Sequence, residues 1–373
     1  MKLLDDHNRP RKNILMTPNT NVLITIIASG LATMAGSVVA DSISDDTEID
    51  IVRSWSQEPG GWRYPVTIGM PDGDEPDGGF PVCILLHGNG GQGDQMVNQF
   101  RGRFDRHVLV APSGYERSWN ICDEGSEAPD VDMVGELVEI LQGYDNVNPN
   151  AIRILGFSNG SALANSIYLE NQNPGIDAVC AVVSQLSDVQ YRDGDFRATP
   201  EITDPSRPFC GYDETTTPLV GRRLLSICNE NDNVIPYNGG FSNVGLAFIP
   251  ARAAVYAIAQ SQGYRGSEIT GPGVEIGDSN VFEYSYLKNL VVHLRGFAGH
   301  GSNPTQDGYV VDFFADWPIV EDTIPGDLNG DDRVDGADLG LLVAGWGTIF
   351  GDLTGDGTTN GTDIGILLAN WTG

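Results

Sequence analysis

Arg153-Ile154-Leu155-Gly156-Phe157-Ser158-Asn159-Gly160-Ser161 is the stretch whose reading decides this chain. Ile152, Ile154 and Leu155 form a short apolar run of buried-strand type, and an Ala- and Leu-bearing helical segment starts directly after Gly160. Gly156 and Gly160 bracket Ser158. A chain that passes from strand to helix this sharply needs neighbours without side chains. The turn leaves the serine hydroxyl clear of the backbone at a helix N-terminus. Two glycines around a serine also arise by chance in a chain with 47 glycines, so the stretch has to be read with its surroundings.

Upstream, Phe80 to Leu86 reads as a buried strand that runs into His87-Gly88-Asn89-Gly90-Gly91. Glycines there let the main chain approach a ligand, so a backbone N–H at this turn can face a developing oxyanion; a plain glycine turn is the equal alternative. His107 to Ala111 reads as a strand and Asp130 to Leu141 as a helix. Downstream, Ala178 to Ser184, Arg223 to Cys228 and Leu290 to Leu294 read as strands, with helices at Ala251 to Gln260 and Gly308 to Trp317. Strands alternating with helices at this spacing predict an α/β fold, a mostly parallel sheet with helices on both faces. Gln190 to Pro218 is a polar insertion carrying Tyr191, Phe196, Phe209 and Tyr212, and is expected to cover the site.

A serine hydroxyl is a weak nucleophile without an imidazole base, and the base needs a carboxylate to orient it. The chain has five histidines. His7 falls in the N-terminal leader, His87 in the glycine turn, His107 at the start of a strand and His293 in mid-strand. His300 remains, in the glycine-flanked loop after the last strand. Asp232 lies just past a buried run, between nucleophile and base in chain order, with Glu230 as its rival and Asp278 a weaker one.

The segments L-L-H-G-N-G-G, G-F-S-N-G-S, D-N-V-I-P-Y-N-G-G and G-H resemble the polyhydroxybutyrate depolymerase and feruloyl esterase group of α/β-hydrolases, over roughly Pro81 to Trp317. The resemblance implies an α/β-hydrolase fold with Ser158 as nucleophile, Asp232 as acid and His300 as base. It implies an oxyanion hole made by the backbone N–H groups of Asn89 and Asn159. The chain departs from the group's pattern at Asn89, at Asn229-Glu230-Asn231 and at Gly301-Ser302-Asn303-Pro304, all around the expected cleft.

After Pro325 a repeat appears. Asp327-Leu328-Asn329-Gly330-Asp331 and Asp352-Leu353-Thr354-Gly355-Asp356 open two loops, each ending in an acid followed by an apolar helix-like run. Oxygen ligands at loop positions 1, 3, 5, 9 and 12, with a backbone carbonyl at 7, suit Ca²⁺. The expected ligands are Asp327, Asn329, Asp331, Arg333 (carbonyl), Asp335 and Asp338, then Asp352, Thr354, Asp356, Thr358 (carbonyl), Asn360 and Asp363. Position 6 is Asp332 in the first loop and Gly357 in the second. The tail resembles a type I dockerin, which implies a small all-α calcium-binding module docking to a cohesin-like or cell-surface partner.

The 373 residues therefore divide into an expected signal peptide (1–40), a hydrolase domain (41–324) and the calcium module (325–373). The leader is basic at Lys2, Arg9, Arg11 and Lys12, apolar from Val22 to Ala40, and ends in small residues before Asp41; Met16 is an alternative start. It predicts a secreted or surface protein with no membrane span after cleavage. A formal charge of −30 argues against binding nucleic acid. Of five cysteines, Cys83, Cys180 and Cys228 lie in apolar runs, while Cys122 and Cys210 lie in polar loops and form the expected pair; no zinc spacing is present. The expectation is an exported serine ester hydrolase, cofactor-free at its catalytic centre, acting on feruloyl or acetyl decorations of polysaccharides. A polyhydroxyalkanoate depolymerase, a peptidase and a non-catalytic binding protein on a hydrolase scaffold are the alternatives.

Overall fold

The computed structural model describes residues 41–315, 324–329, 333–348, 350–354 and 358–372. The expected signal peptide lies outside them, as do Asp331, Asp332, Asp356, Gly357, and Pro318 to Asp322 near the end of the expected hydrolase domain. Among the described residues no helix is long and apolar enough to cross a membrane.

Nine strands form one sheet: β1 (Val66–Gly69), β2 (Phe80–Leu86), β3 (Val108–Pro112), β4 (Val147–Phe157), β5 (Ile176–Val182), β6 (Arg223–Asn229), β7 (Val274–Glu275), β8 (Phe282–Tyr286) and β9 (Val291–Gly296). Their order is β7-β8-β9-β6-β5-β4-β2-β3-β1. The six from β9 to β3 are parallel, while β1, β8 and β7 pair antiparallel at the edges. The expected mostly parallel sheet is present, and antiparallel strands at its two edges make it a mixed one. The elbow strand β4 is central, as its unbroken burial over residues 151–156 requires.

Side chains alternate between two apolar layers, so both faces of the sheet must be covered. Val82, Ile84, Ile152, Ile154 and Leu224 join one layer, under α2 (Asp130–Leu141), α3 (Asn159–Glu170) and α4 (Ala251–Ser261). Cys83, Leu85, Leu155, Leu225 and Leu294 join the other, under α1 (Gly93–Phe100) and α5 (Pro304–Ala315). The last helix of the body starts at Pro304 rather than Gly308. Pro304 has no N–H to leave unpaired at a first turn, and Asn303 caps it by accepting the Gln306 N–H through Oδ1 at 3.0 Å.

The insertion is tied down rather than loose. Cys122 and Cys210 form a disulfide across 88 residues, the Tyr212 hydroxyl donates to the Ile121 carbonyl, and Thr203 donates to Asn120. Cys83, Cys180 and Cys228 are free and buried.

In the tail, α6 (Gly336–Ala344) and α7 (Gly361–Ala369) follow the two acidic loops and share a small core of Val334, Leu342 and Leu367. Phe350 packs on Gly221, Leu341 packs on Gly263, and Lys288 Nζ lies 3.0 Å from Asp327 Oδ2. All three body residues stand at the amino edge of the parallel strands: Gly221 before β6, Lys288 before β9 and Gly263 just past α4.

Candidate active site

β4 ends at Phe157 and α3 begins at Asn159, which leaves Ser158 alone in the turn with φ +52° and ψ −114°. This is the left-handed side of conformational space that a β-carbon disfavours, so the neighbours must hold it. They do so by touching. A β-carbon on Gly156 would meet the Gly160 carbonyl, and one on Gly160 would meet the Leu86 and His87 carbonyls. The two glycines let helix α3 start directly against β2 and β4, and the hydroxyl is pushed out at the carboxyl edge of the sheet.

The acid and base arrive at the same edge, Asp232 from the turn after β6 and His300 from the loop after β9, whose strands are neighbours. His300 Nε2 lies 2.8 Å from Ser158 Oγ, and His300 Nδ1 lies 2.8 Å from Asp232 Oδ2. A carboxylate only accepts, so Nδ1 carries the proton and the Nε2 lone pair faces the serine hydroxyl. Asp232 Oδ1 also accepts the N–H groups of Val234 (2.7 Å) and Ile235 (3.0 Å). Burial raises the Asp232 pKa, but the hydrogen bonds from His300 and these two N–H groups outweigh it and hold the carboxyl below its ordinary range. Its side chain is 2% exposed, against 24% for His300.

The other candidates stand apart. Glu230 is exposed and paired with Arg295 at 2.9 Å, and Asp278 sits exposed in the turn between β7 and β8. His107 is buried against Arg153, and His293 hydrogen-bonds Tyr237 at 3.0 Å.

His87 builds the opposite wall. Its Nδ1 lies 2.8 Å from the Gly88 carbonyl and its Nε2 accepts the Gly114 N–H at 3.0 Å, so both ring nitrogens are used with the imidazole neutral. Burial lowers its pKa, in keeping with that state. A β-carbon on Gly88 would lie 3.5 Å from the Ser158 Cβ, which brings this turn to the serine, with Asn89 next to it and exposed. Asn159 is the first residue of α3, where a helix leaves its N–H groups unpaired within the helix.

Two side chains missed in the sequence join the elbow to the loop before α2. Asn159 Oδ1 accepts the Trp119 N–H (2.7 Å), its Nδ2 donates to the Trp119 carbonyl (2.9 Å), and Glu124 Oε1 lies 3.4 Å from the same Nδ2. Burial raises the Glu124 pKa against the N–H groups of Cys122 and Ile121 that it accepts. A cavity of about 740 Å³ lies at the far edge of the sheet, among Phe80, Arg103, His107, Arg153 and Ala315, and its lining does not include Ser158, Asp232 or His300.

Of the expected calcium ligands, Asp338 and Asp363 are fully buried. Asp338 accepts the N–H groups of Leu328 (2.8 Å), Asn329 (3.1 Å) and Asp335 (2.8 Å); Asp363 accepts those of Leu353, Thr354 and Asn360 in the same way. The last acid of each loop thus folds onto its second, third and ninth positions. Asp335 and Asn360 cap the helices that follow. Among the described residues no group of three or more His, Cys, Asp or Glu is gathered closely enough to hold a metal.

No family model matches the chain. A curated protein described as "Putative esterase NocK", from Nocardia uniformis subsp. tsuyamanensis, is 26% identical over 163 residues, covering 39% of this chain and 46% of that protein. The chain thus matches less than half the length of that relative. Among solved structures, a Bacillus cereus carboxylesterase is similar at 12% identity and a TM-score of 0.41, over 68% of this chain and 93% of that one. A Mesorhizobium loti carboxylesterase is similar at 16% identity and a TM-score of 0.40 (68% and 94%), and Zea mays acyl-protein thioesterase 2 at 13% and 0.39 (67% and 97%). In the chain's own strand order the serine elbow follows β4, the Asp232 turn follows β6 two strands over and the His300 loop follows β9 beside it, which is the arrangement of an α/β-hydrolase fold.

Proposed function

We propose that the chain is a serine carboxylic-ester hydrolase in which Ser158, His300 and Asp232 form the catalytic triad. One observation carries this reading: the His300 ring stands 2.8 Å from the serine hydroxyl on one side and 2.8 Å from the carboxylate on the other. Ser158 Oγ attacks the ester carbonyl as His300 Nε2 takes its proton, and Asp232 stabilises the imidazolium. The backbone N–H groups of Asn159 and Asn89 face the tetrahedral oxyanion. His300 returns the proton to the leaving alcohol, and water, activated by the same nitrogen, resolves the acyl-enzyme. This chemistry asks for no cofactor.

The substrates are feruloyl or acetyl esters on polysaccharides, a reading supported by the motif resemblance and the docking tail; a polyhydroxyalkanoate is the second candidate. Initial rates on methyl ferulate, acetylated xylan and soluble 3-hydroxybutyrate oligomers separate the two, with Ser158→Ala at least about 10⁴-fold slower on the true substrate. A fluorophosphonate should label wild type at Ser158. Folded protein that takes no label would favour a non-catalytic binding protein, and turnover of peptides above esters would favour a peptidase.

The leader directs export, and the repeat holds two structural calcium ions. Residues Asp327, Asn329, Asp331, Asp335 and Asp338 with the Arg333 carbonyl serve the first, and Asp352, Thr354, Asp356, Asn360 and Asp363 with the Thr358 carbonyl the second. The fold-back of buried Asp338 and Asp363 onto each loop's opening residues fits this donor set. Calcium, when bound, neutralises the gathered carboxylates and fixes the loops against their helices, which suits a module that docks to a cohesin-like or surface partner. Titration calorimetry of Ca²⁺ into chelator-stripped full chain should show two sites, lost in Asp338→Ala/Asp363→Ala, while hydrolysis of a soluble ester stays within about twofold. The absence of a binding heat would overturn the calcium assignment.

A further inference from the structure

The loop carrying His300, Gly296-Phe297-Ala298-Gly299-His300-Gly301, holds three glycines and has little stiffness of its own. A general base displaced by about 1 Å loses on the order of 10²-fold in rate, so something outside the loop must fix it. Asn229 does this from beneath.

Asn229 is the last residue of β6 and is fully buried. Its Nδ2 donates to the carbonyls of Gly299 (2.9 Å) and Gly301 (2.8 Å), the residues on either side of His300. Its Oδ1 accepts from Gln306 Nε2 at 2.9 Å. Gln306, also fully buried, spends its Oε1 on the Asn303 N–H at 3.0 Å. The orientation of both amides is therefore determined. A flipped Asn229 would set its carbonyl against two carbonyls and its NH₂ against the NH₂ of Gln306. The pair closes over Gly296, where a β-carbon would run into both side-chain amides. The main chain of Asn229 serves the other partner, because its carbonyl accepts the Asp232 N–H at 3.2 Å. One residue thus ties the turn of the acid to the loop of the base. From the solvent side, Asn231 repeats the device through the Phe297 carbonyl and the Gly299 N–H, each at 2.8 Å.

We propose that Asn229, locked by Gln306, is a positioning residue that holds the His300 imidazole between Ser158 and Asp232; the inference rests on the catalytic reading of those three residues. It touches neither substrate nor reacting atoms. Its two N–H donors in one plane match two carbonyls separated by a single residue, a geometry that neither a carboxylate nor an aliphatic side chain reproduces.

The test compares full-length wild type with Asn229→Asp and Gln306→Met, by kinetics on p-nitrophenyl acetate and by the downfield proton NMR resonance of the His300 Nδ1–H. Asn229→Asp keeps the size and loses both donors. It is expected to lower kcat by about 10²-fold with KM within about twofold, and to broaden or abolish the resonance. Gln306→Met keeps the volume, frees the Asn229 amide and leaves the Asn303 N–H without its acceptor while Asn229 keeps both its donors, so its loss should be about tenfold, and it serves if Asn229→Asp does not fold. A kcat within threefold of wild type with the resonance intact in the folded variants would overturn the proposal. Reduced thermal stability with unchanged kcat and resonance would also overturn it, since that is a merely structural role. Should wild type take no fluorophosphonate label, the catalytic reading falls. The resonance, which needs only the His300–Asp232 hydrogen bond, then still decides whether Asn229 positions the ring.

Discussion

Asp232→Asn is expected to lower kcat by about 10⁴-fold, close to 5 kcal/mol, without unfolding the protein. The wild-type carboxylate uses Oδ1 for the Val234 and Ile235 N–H groups and Oδ2 for His300 Nδ1. An asparagine has a single acceptor for these three donors. Turning its carbonyl toward His300 would set its NH₂ against two backbone N–H groups in a largely buried place, at about 1–3 kcal/mol for each donor left unsatisfied. The carbonyl therefore stays with the backbone, and the NH₂ faces Nδ1. Nδ1 must then accept, the ring proton moves to Nε2, and Nε2–H can no longer take the proton of Ser158. The assay is the initial rate on p-nitrophenyl acetate, with circular dichroism to confirm the fold. Glu230→Gln is the control, expected to keep kcat within about twofold because Glu230 reaches Arg295 and not the base. If Asp232→Asn keeps more than a tenth of the wild-type kcat, or Glu230→Gln is the variant that fails, the tautomer reasoning and the choice of acid are both wrong.

Two further outcomes concern stability. Asp130 is fully buried, accepts the Asn120 N–H and the Tyr64 hydroxyl, and its pKa is pushed up by burial to about 7. A carboxyl whose pKa rises on folding takes up protons in the native state, so its contribution to stability is greatest at low pH and falls as pH rises toward 7, by up to about 1.4 kcal/mol per unit. Thermal melts from pH 5 to pH 8 should fall more steeply in wild type than in Asp130→Asn, which stays neutral; parallel curves would refute the assignment. The Cys122–Cys210 bridge closes 88 residues, so Cys122→Ala/Cys210→Ala should lose about 2–5 kcal/mol in urea unfolding and open 190–218 to proteolysis. An unchanged midpoint and cleavage pattern would show that packing around Tyr212 alone holds the insertion.

Much of the edge where Ser158, Asp232 and His300 meet was legible because each component follows a strong local signal. The elbow glycines bracket a serine after an apolar run, Asp232 follows the apolar β6, and His300 is the one histidine in a glycine loop after the last strand. The cysteine pair was legible from polarity, since its partners lie in loops while the free thiols lie in β2, β5 and β6. The antiparallel edge was not, although Phe282, Tyr284 and Tyr286 alternate as a strand should. A strand of five residues paired with one of two gives too little pattern to separate from loop. The helix α5 starts four residues before the expected Gly308, because Pro304 suits a first helical position, where its missing N–H costs nothing. The Asn229–Gln306 lock was beyond reach, because its worth depends on residues 229, 299, 301 and 306 meeting in space. An asparagine and a glutamine read singly say nothing of that.

The tail rests on Gly221, Gly263 and Lys288, at the amino ends of the strands, while Ser158, Asp232 and His300 crowd the opposite end. On the proposed reading, the partner of the C-terminal repeats and the ester substrate approach from opposite edges of the sheet, so the two need not contest the same surface.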